Sequence, residues 1–207
     1  MPDHYLTLRG AAEAEPPKSK GSRFIGYVAP AGSEEEALAV VADVRKEHHA
    51  ARHHVWAFRL TADGSVWRGN DDGEPNGTGG RPLLQEIESR ELTDVVVVVT
   101  RYYGGTKLGT GGLARAYGEA AALALDTAAE QRLVERRTVR APVTLRFAFA
   151  DTSAAMRTVE QFDAEIRDQA YTADGTTLAL AVRQSQADAL AAQFVEATAG
   201  RGEVERP

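Results

Sequence analysis

VVVVVTRYYGGTKLGTGG, residues 95–112, decides the fold. Val95 to Val99 are five consecutive β-branched residues without polar alternation, which reads as a strand buried on both faces. From Leu113 the chain turns alanine-rich, and Leu113, Ala116, Tyr117, Ala120, Ala121, Leu123 and Ala124 recur at helical spacing. Gly104, Gly105, Gly109, Gly111 and Gly112 therefore lie in a strand-to-helix connection that also carries Arg101 and Lys107. Glycine leaves backbone N–H groups uncovered, and a helix N-terminus gathers unpaired donors with a partial positive charge. Phosphate, carboxylate or a nucleic-acid backbone suits such a loop; the alternative is a glycine loop that only lets a strand pack near a helix. A P-loop is excluded, because Gly109 is followed by Thr110 and Gly111 instead of Lys and Ser or Thr. Gly109, Gly111 and Ala114 lie too far beyond the valine strand for the tight turn of a dinucleotide fingerprint.

Upstream, residues 70–83 read NDDGEPNGTGGRPL. Asp71, Asp72 and Glu74 crowd around Gly73 and Pro75, and such carboxylates repel one another unless a cation or hydrogen-bond donors offset them. A hard cation such as Mg²⁺ takes oxygen ligands of this kind. The favoured reading instead has Asp71 or Asp72 capping the turn backbone and Glu74 pairing with Arg81 or Arg101, since turns use Asp and Asn for local hydrogen bonding. Arg52 to Leu60 reads as a strand with His54, Trp56, Phe58 and Leu60 on one face and His53, Val55 and Ala57 on the other. Adjacent histidines then point opposite ways and cannot chelate one metal. Each is read as a structural imidazole, with an acid–base role as the alternative.

Outward from these blocks, Tyr5 to Arg9 and Phe24 to Val28 read as strands. Ser33 with Glu36 forms a capping box opening a helix striped by Ala37, Val40, Val41, Val44 and His48. Asp63 and Gly64 predict a hairpin turn placing Leu60 opposite Trp67, and Pro82 to Ser89 a helix. Beyond Pro142 the pattern restarts. Val143, Leu145, Phe147 and Phe149 alternate as a strand; Ala155, Met156, Val159 and Phe162 suit a helix; Ile166 to Tyr171 and Thr177 to Val182 flank Asp174 and Gly175 as a hairpin. Ser185 with Asp188 opens a last helix carrying Leu190, Phe194 and Val195, and Glu203 to Glu205 is a final strand. That βαββαβ order is the ferredoxin-like plan. The expected division is 1–138 and 139–207, and the second part shows no catalytic constellation.

The 207 residues are 43% hydrophobic, enough for ordinary cores. With no cysteine, disulfides and thiolate metal sites are excluded. No apolar run is long enough to span a bilayer and the start of the chain lacks the regions of a signal peptide, so cytoplasmic residence is expected. A formal net charge of −6 argues against a generic polyanion binder without forbidding a local basic patch such as Lys18, Lys20 and Arg23.

Four blocks, KSKGSRFIGYV (18–28), ARHHVWAF (51–58), DDGEPNGTGGRP (71–82) and TRYYGGTKLGTGGLARAY (100–117), occur in an order that resembles the IMPACT/YigZ family. Val55 stands where many members carry Cys, Asn70 where Ser is usual and Gly79 where Ala is common; none of these departures removes a charge. The resemblance implies an α/β (α+β) protein whose N-terminal domain is similar to the second domain of the fifth small-subunit ribosomal protein. It further implies a ferredoxin-like C-terminal domain similar to the last domain of elongation factor G. Eukaryotic members of the family are translational regulators that compete for an activator of the general-control kinase.

The expectation is a translation-associated regulator binding RNA, the ribosome or a translation factor. Its groove would be lined by Arg101, Gly104, Gly105, Lys107, Gly109, Gly111, Gly112, His53, His54, Asp71, Asp72 and Glu74, with Lys20 and Arg23 nearby. No catalytic residue, metal ligand, cofactor or membrane is assigned. One alternative is a phosphate- or nucleotide-binding enzyme using Asp72 or Glu74 with a metal; another is a protein-interaction module acting through the C-terminal domain.

Overall fold

In a computed structural model describing residues 3–206, the valine run becomes β6 (Val95–Tyr102), the middle strand of a five-stranded sheet. Its neighbours are β3 (Arg23–Pro30) and β4 (His53–Leu60); β2 (Ala12–Ala14) and β5 (Val66–Asn70) form the edges, and every pairing is antiparallel. Both faces of β6 are covered, which is why its valines run without alternation. Val95, Val97 and Val99 pack with Val55, Ala57, Phe24 and Tyr117 on the side of α2 (Gly80–Ser89) and α3 (Thr110–Glu130). Val96 and Val98 pack with Trp56, Phe58 and the Ala37, Val41 and Val44 stripe of α1 (Glu34–Glu47) on the other. Gly26 permits the close approach of α3, since a Cβ there would lie 2.2 Å from the Ala120 carbonyl oxygen. β1 (His4–Leu8) pairs with β7 (Val134–Thr138) in a separate ribbon.

Tyr5–Arg137 form one compact unit, and residues 138–206 together with Asp3 and His4 form the other. The second unit follows the βαββαβ order: β8 (Arg140–Ala148), α4 (Thr152–Gln161), β9 (Glu165–Tyr171), β10 (Gly175–Arg183), α5 (Ala187–Ala197) and β11 (Glu203–Glu205). The antiparallel sheet runs β11-β8-β10-β9, and its core contains Val143, Leu145, Phe147, Leu178, Leu180, Leu190 and Phe194.

Several local expectations differ from the structure. The hairpin loop is Thr61–Ser65, with Thr61 and Gly64 at φ +71° and +66°, so Leu60 faces Val66 and Trp67 faces Arg59. The Asp63 carboxylate accepts from the Thr61 hydroxyl and the Ser65 amide, which holds its pKa down to about 2 and closes the longer loop. Phe149 leaves its strand for a 3₁₀ turn (Phe149–Asp151) and is exposed, as are Met156 and Val195. Ser185 caps no helix; its hydroxyl and amide bond the Asp3 carboxylate, and α5 starts beyond it at Ala187. The expected Ser33 cap forms, while Glu36 reaches back to the Gly32 amide.

Candidate functional site

A cleft of about 480 Å³ lies where the ends of β4 and β6, the acidic turn and the start of α3 converge. Its lining includes Arg52, His53, Glu74, Pro75, Arg101, Tyr103, Lys107, Leu108, Gly109, Thr110 and Leu113. Arg101 comes here because it has the same strand parity as Val97 and Val99, so it faces the α3 side and registers opposite His53 on β4. Arg101 Nη1 donates to Glu74 Oε1 at 2.6 Å, and the Tyr117 hydroxyl donates to the same oxygen at 2.7 Å. Glu74 chooses Arg101 over Arg81. The Arg101 and Glu74 side chains are only 7% and 5% exposed. Burial, followed by the bond to Glu74, pushes the Tyr117 pKa far up and keeps its phenol a donor.

The other two carboxylates of the turn are also engaged. Asp71 spans the entry to α2, its Oδ2 accepting from the Gly77 amide and its Oδ1 from the amides of Gly79 and Gly80. Asp72 accepts from the His54 amide through Oδ2 at 2.7 Å and pairs with Arg45 through Oδ1. His53 Nδ1 lies 2.8 Å from the Asp72 carbonyl oxygen and edges the cleft. His54 faces the opposite side, buried, with Nε2 donating to the His48 carbonyl oxygen. Desolvation lowers its pKa. The carboxylates thus shape the turn and hold Arg101 and Arg45, and among the described residues no His, Asp and Glu cluster is arranged to hold a metal ion.

The glycine loop divides in two. Gly104 is locked: its amide bonds the Ser22 hydroxyl, and a Cβ on it would fall 1.9 Å from the carbonyl carbon of Gly21. This contact sets the Ser19–Ser22 turn, with Lys20 at φ +46°, against the loop. Arg23 is committed to a bidentate pair with Glu15 and lies over the Tyr102 ring. From Gly105 to Gly112 the amides find no protein acceptor among the described residues. No side chain caps α3, whose N-cap Gly109 has φ +71°. Lys107 and Arg52 line the cleft and make no ion pair among the described residues. Arg52, Pro75 and Tyr103 join the cleft; they lie within the quoted sequence blocks but are not among the residues expected to line the groove, and the spacing around Tyr117 signals only an apolar helix stripe. The run ARHH and the second Tyr of RYYGG are the faint sequence hints of this lining.

Fold and cleft together define a two-part α/β protein with a long helix whose N-terminus no side chain caps. Residues 20–125 match the model of the Impact N-terminal domain and residues 145–201 that of a domain of unknown function. The chain is 34% identical to an IMPACT family member of Haemophilus influenzae over 95% of its own length and 94% of that protein's. It is 31% identical to the Bacillus subtilis IMPACT family member YvyE over 97% and 89% of the two chains. About half of it, 49%, is also similar to the Saccharomyces cerevisiae Protein IMPACT homolog, at 31% identity over 41% of that protein. A crystal structure described as that of a hypothetical protein superposes with a TM-score of 0.74 at 30% identity, covering 100% of this chain and 98% of the other. The chain belongs to the IMPACT family.

Proposed function

We propose that this protein is a translation-associated regulator whose N-terminal unit binds an anionic group of RNA, the ribosome or a translation factor in the Arg52–Lys107 cleft. Membership of the IMPACT family, whose eukaryotic members the sequence resemblance links to translational control, supports the biological setting. One observation carries the binding mode: the uncapped amides at the start of the 21-residue α3 open beside Lys107 and Arg52, two cations without a protein partner among the described residues. A helix N-terminus of this kind favours negative charge through both its donors and its dipole. Arg101 acts indirectly, because its charge is already matched by Glu74. The enzyme reading has little support, since both Asp72 and Glu74 are engaged by internal donors.

The test is co-sedimentation with ribosomes over a salt series. Wild-type association should weaken steeply with salt, and Arg52→Ala/Lys107→Ala should weaken it further and flatten its salt dependence. Association unchanged in the double variant would overturn the proposal.

A further inference from the structure

Arg101 lies close to two aromatic rings. Its guanidinium carbon lies 5.5 Å from the ring centroid of buried Phe24 and 5.4 Å from that of Tyr103, within the range at which a cation is attracted to a ring face. Phe24 is buried in the core, whereas Tyr103 lines the cleft and is 54% exposed. Arg101 itself is 6% exposed, and its Nε is buried without any hydrogen-bond partner although Nη1 is held by Glu74. The same cleft is lined by the first turn of α3, which no side chain caps, by Lys107, and by the apolar side chains of Pro75, Leu108 and Leu113.

We propose that the cleft takes a nucleoside monophosphate unit, its base stacking on Tyr103 and its phosphate at the first turn of α3 beside Lys107. This inference rests on the anion-binding reading of the same cleft and adds the ligand's chemistry. A bare anion would satisfy the amides and Lys107 but leave Tyr103 and the apolar side chains uncovered. A planar base covers both, and stacking on an aromatic side chain tolerates any base identity. Paired bases inside a duplex keep their faces stacked on one another, so the unit must be unpaired, whether free or within single-stranded RNA.

The experiment measures binding of a labelled single-stranded oligoadenylate, the same strand in a duplex, and adenosine monophosphate to the full chain. Single strand is expected to bind better than duplex. Tyr103→Ala should weaken binding about tenfold or more, whereas Tyr103→Phe, which keeps the ring, should retain it. Lys107→Ala should weaken binding and lower the slope of log affinity against log salt by about one. Because Tyr103 is half exposed, these variants leave the core intact, and thermal unfolding checks that they do. Adenosine monophosphate binding with the same Tyr103 dependence assigns a free nucleotide as ligand; binding of the strand alone assigns RNA. Absence of binding by strand and nucleotide alike, or Tyr103→Ala binding as wild type, overturns the inference. If ribosome association still depends on Arg52 and Lys107 in that case, the anion-binding reading stands without it; if that dependence is missing, both fall.

Discussion

Glu74 and Tyr117, 43 positions apart in the chain, meet in a 2.7 Å hydrogen bond on the carboxylate oxygen that also receives Arg101. The bond ties the acidic turn to α3 and β6, so buried Tyr117 helps hold Glu74 and Arg101, both of which line the cleft.

Removing Glu74 leaves a buried guanidinium without its counter-charge. Glu74→Ala is expected to destabilise the N-terminal unit by about 3–5 kcal/mol, the usual consequence of breaking one side of a buried pair. Replacing both partners, as in Glu74→Leu/Arg101→Met, should cost less than Glu74→Leu alone, because no charge is then stranded. Urea unfolding of the three variants checks this; a double variant no more stable than Glu74→Leu would contradict the buried-pair account.

Two glycines of one loop should respond in opposite directions. Gly104→Ala drives a methyl into the Gly21 backbone, which cannot rotate away as a side chain could. A loss of about 1–3 kcal/mol is expected, as for other overpacked sites. Gly111, in the first turn of α3, has open space where a Cβ would point and no left-handed φ, so Gly111→Ala should gain several tenths of a kcal/mol by restricting the unfolded chain. Thermal unfolding of both variants reads the signs directly.

Much of the fold was legible because periodicity reports burial. The uninterrupted valines of β6 foretold two covered faces, and the alternation from His53 to Leu60 sorted its side chains between the two clusters that form. The βαββαβ order likewise followed from strand and helix periods alone. Partner choice was less accessible. Arg81 is nearer to Glu74 in sequence than Arg101, yet strand parity brings Arg101 to it, and Tyr117 joins from a helix whose spacing announced only an apolar stripe. The hairpin register depended on Thr61 adopting a left-handed conformation, which composition does not mark. Ser185 lost its expected capping role to Asp3, a partner 182 positions away.

Asp71 is expected to matter for the geometry of α2. Its two oxygens accept from three amides at 2.8–2.9 Å, where the helix N-cap itself, Gly79, offers no side chain. Asp71→Ala should cost about 2 kcal/mol, the upper end for loss of a helix cap. Asp71→Asn keeps one acceptor oxygen and should fall between that variant and wild type. Equal stability of all three by chemical denaturation would remove the capping role.

His54 makes stability depend on pH in a defined direction. The imidazole is buried with Nε2 donating to the His48 carbonyl, and desolvation is the leading cause of its lowered pKa, outweighing the opposing effects of that hydrogen bond and of the Asp72 charge. Arg45 and the His48 ring add further unfavourable charge. An unfolded histidine titrates near 6.5, so between that value and the lower native one the unfolded chain holds the extra proton. The stabilisation is therefore complete above about pH 6.5 and is lost as pH falls through the native value. One imidazole contributes at most about 1.4 kcal/mol per pH unit to that slope. Unfolding free energies measured between mildly acidic and neutral pH should decline toward acid, and His54→Gln should flatten the decline even though it lowers stability at neutral pH. A variant whose pH profile runs parallel to wild type would show that the proton is taken up elsewhere.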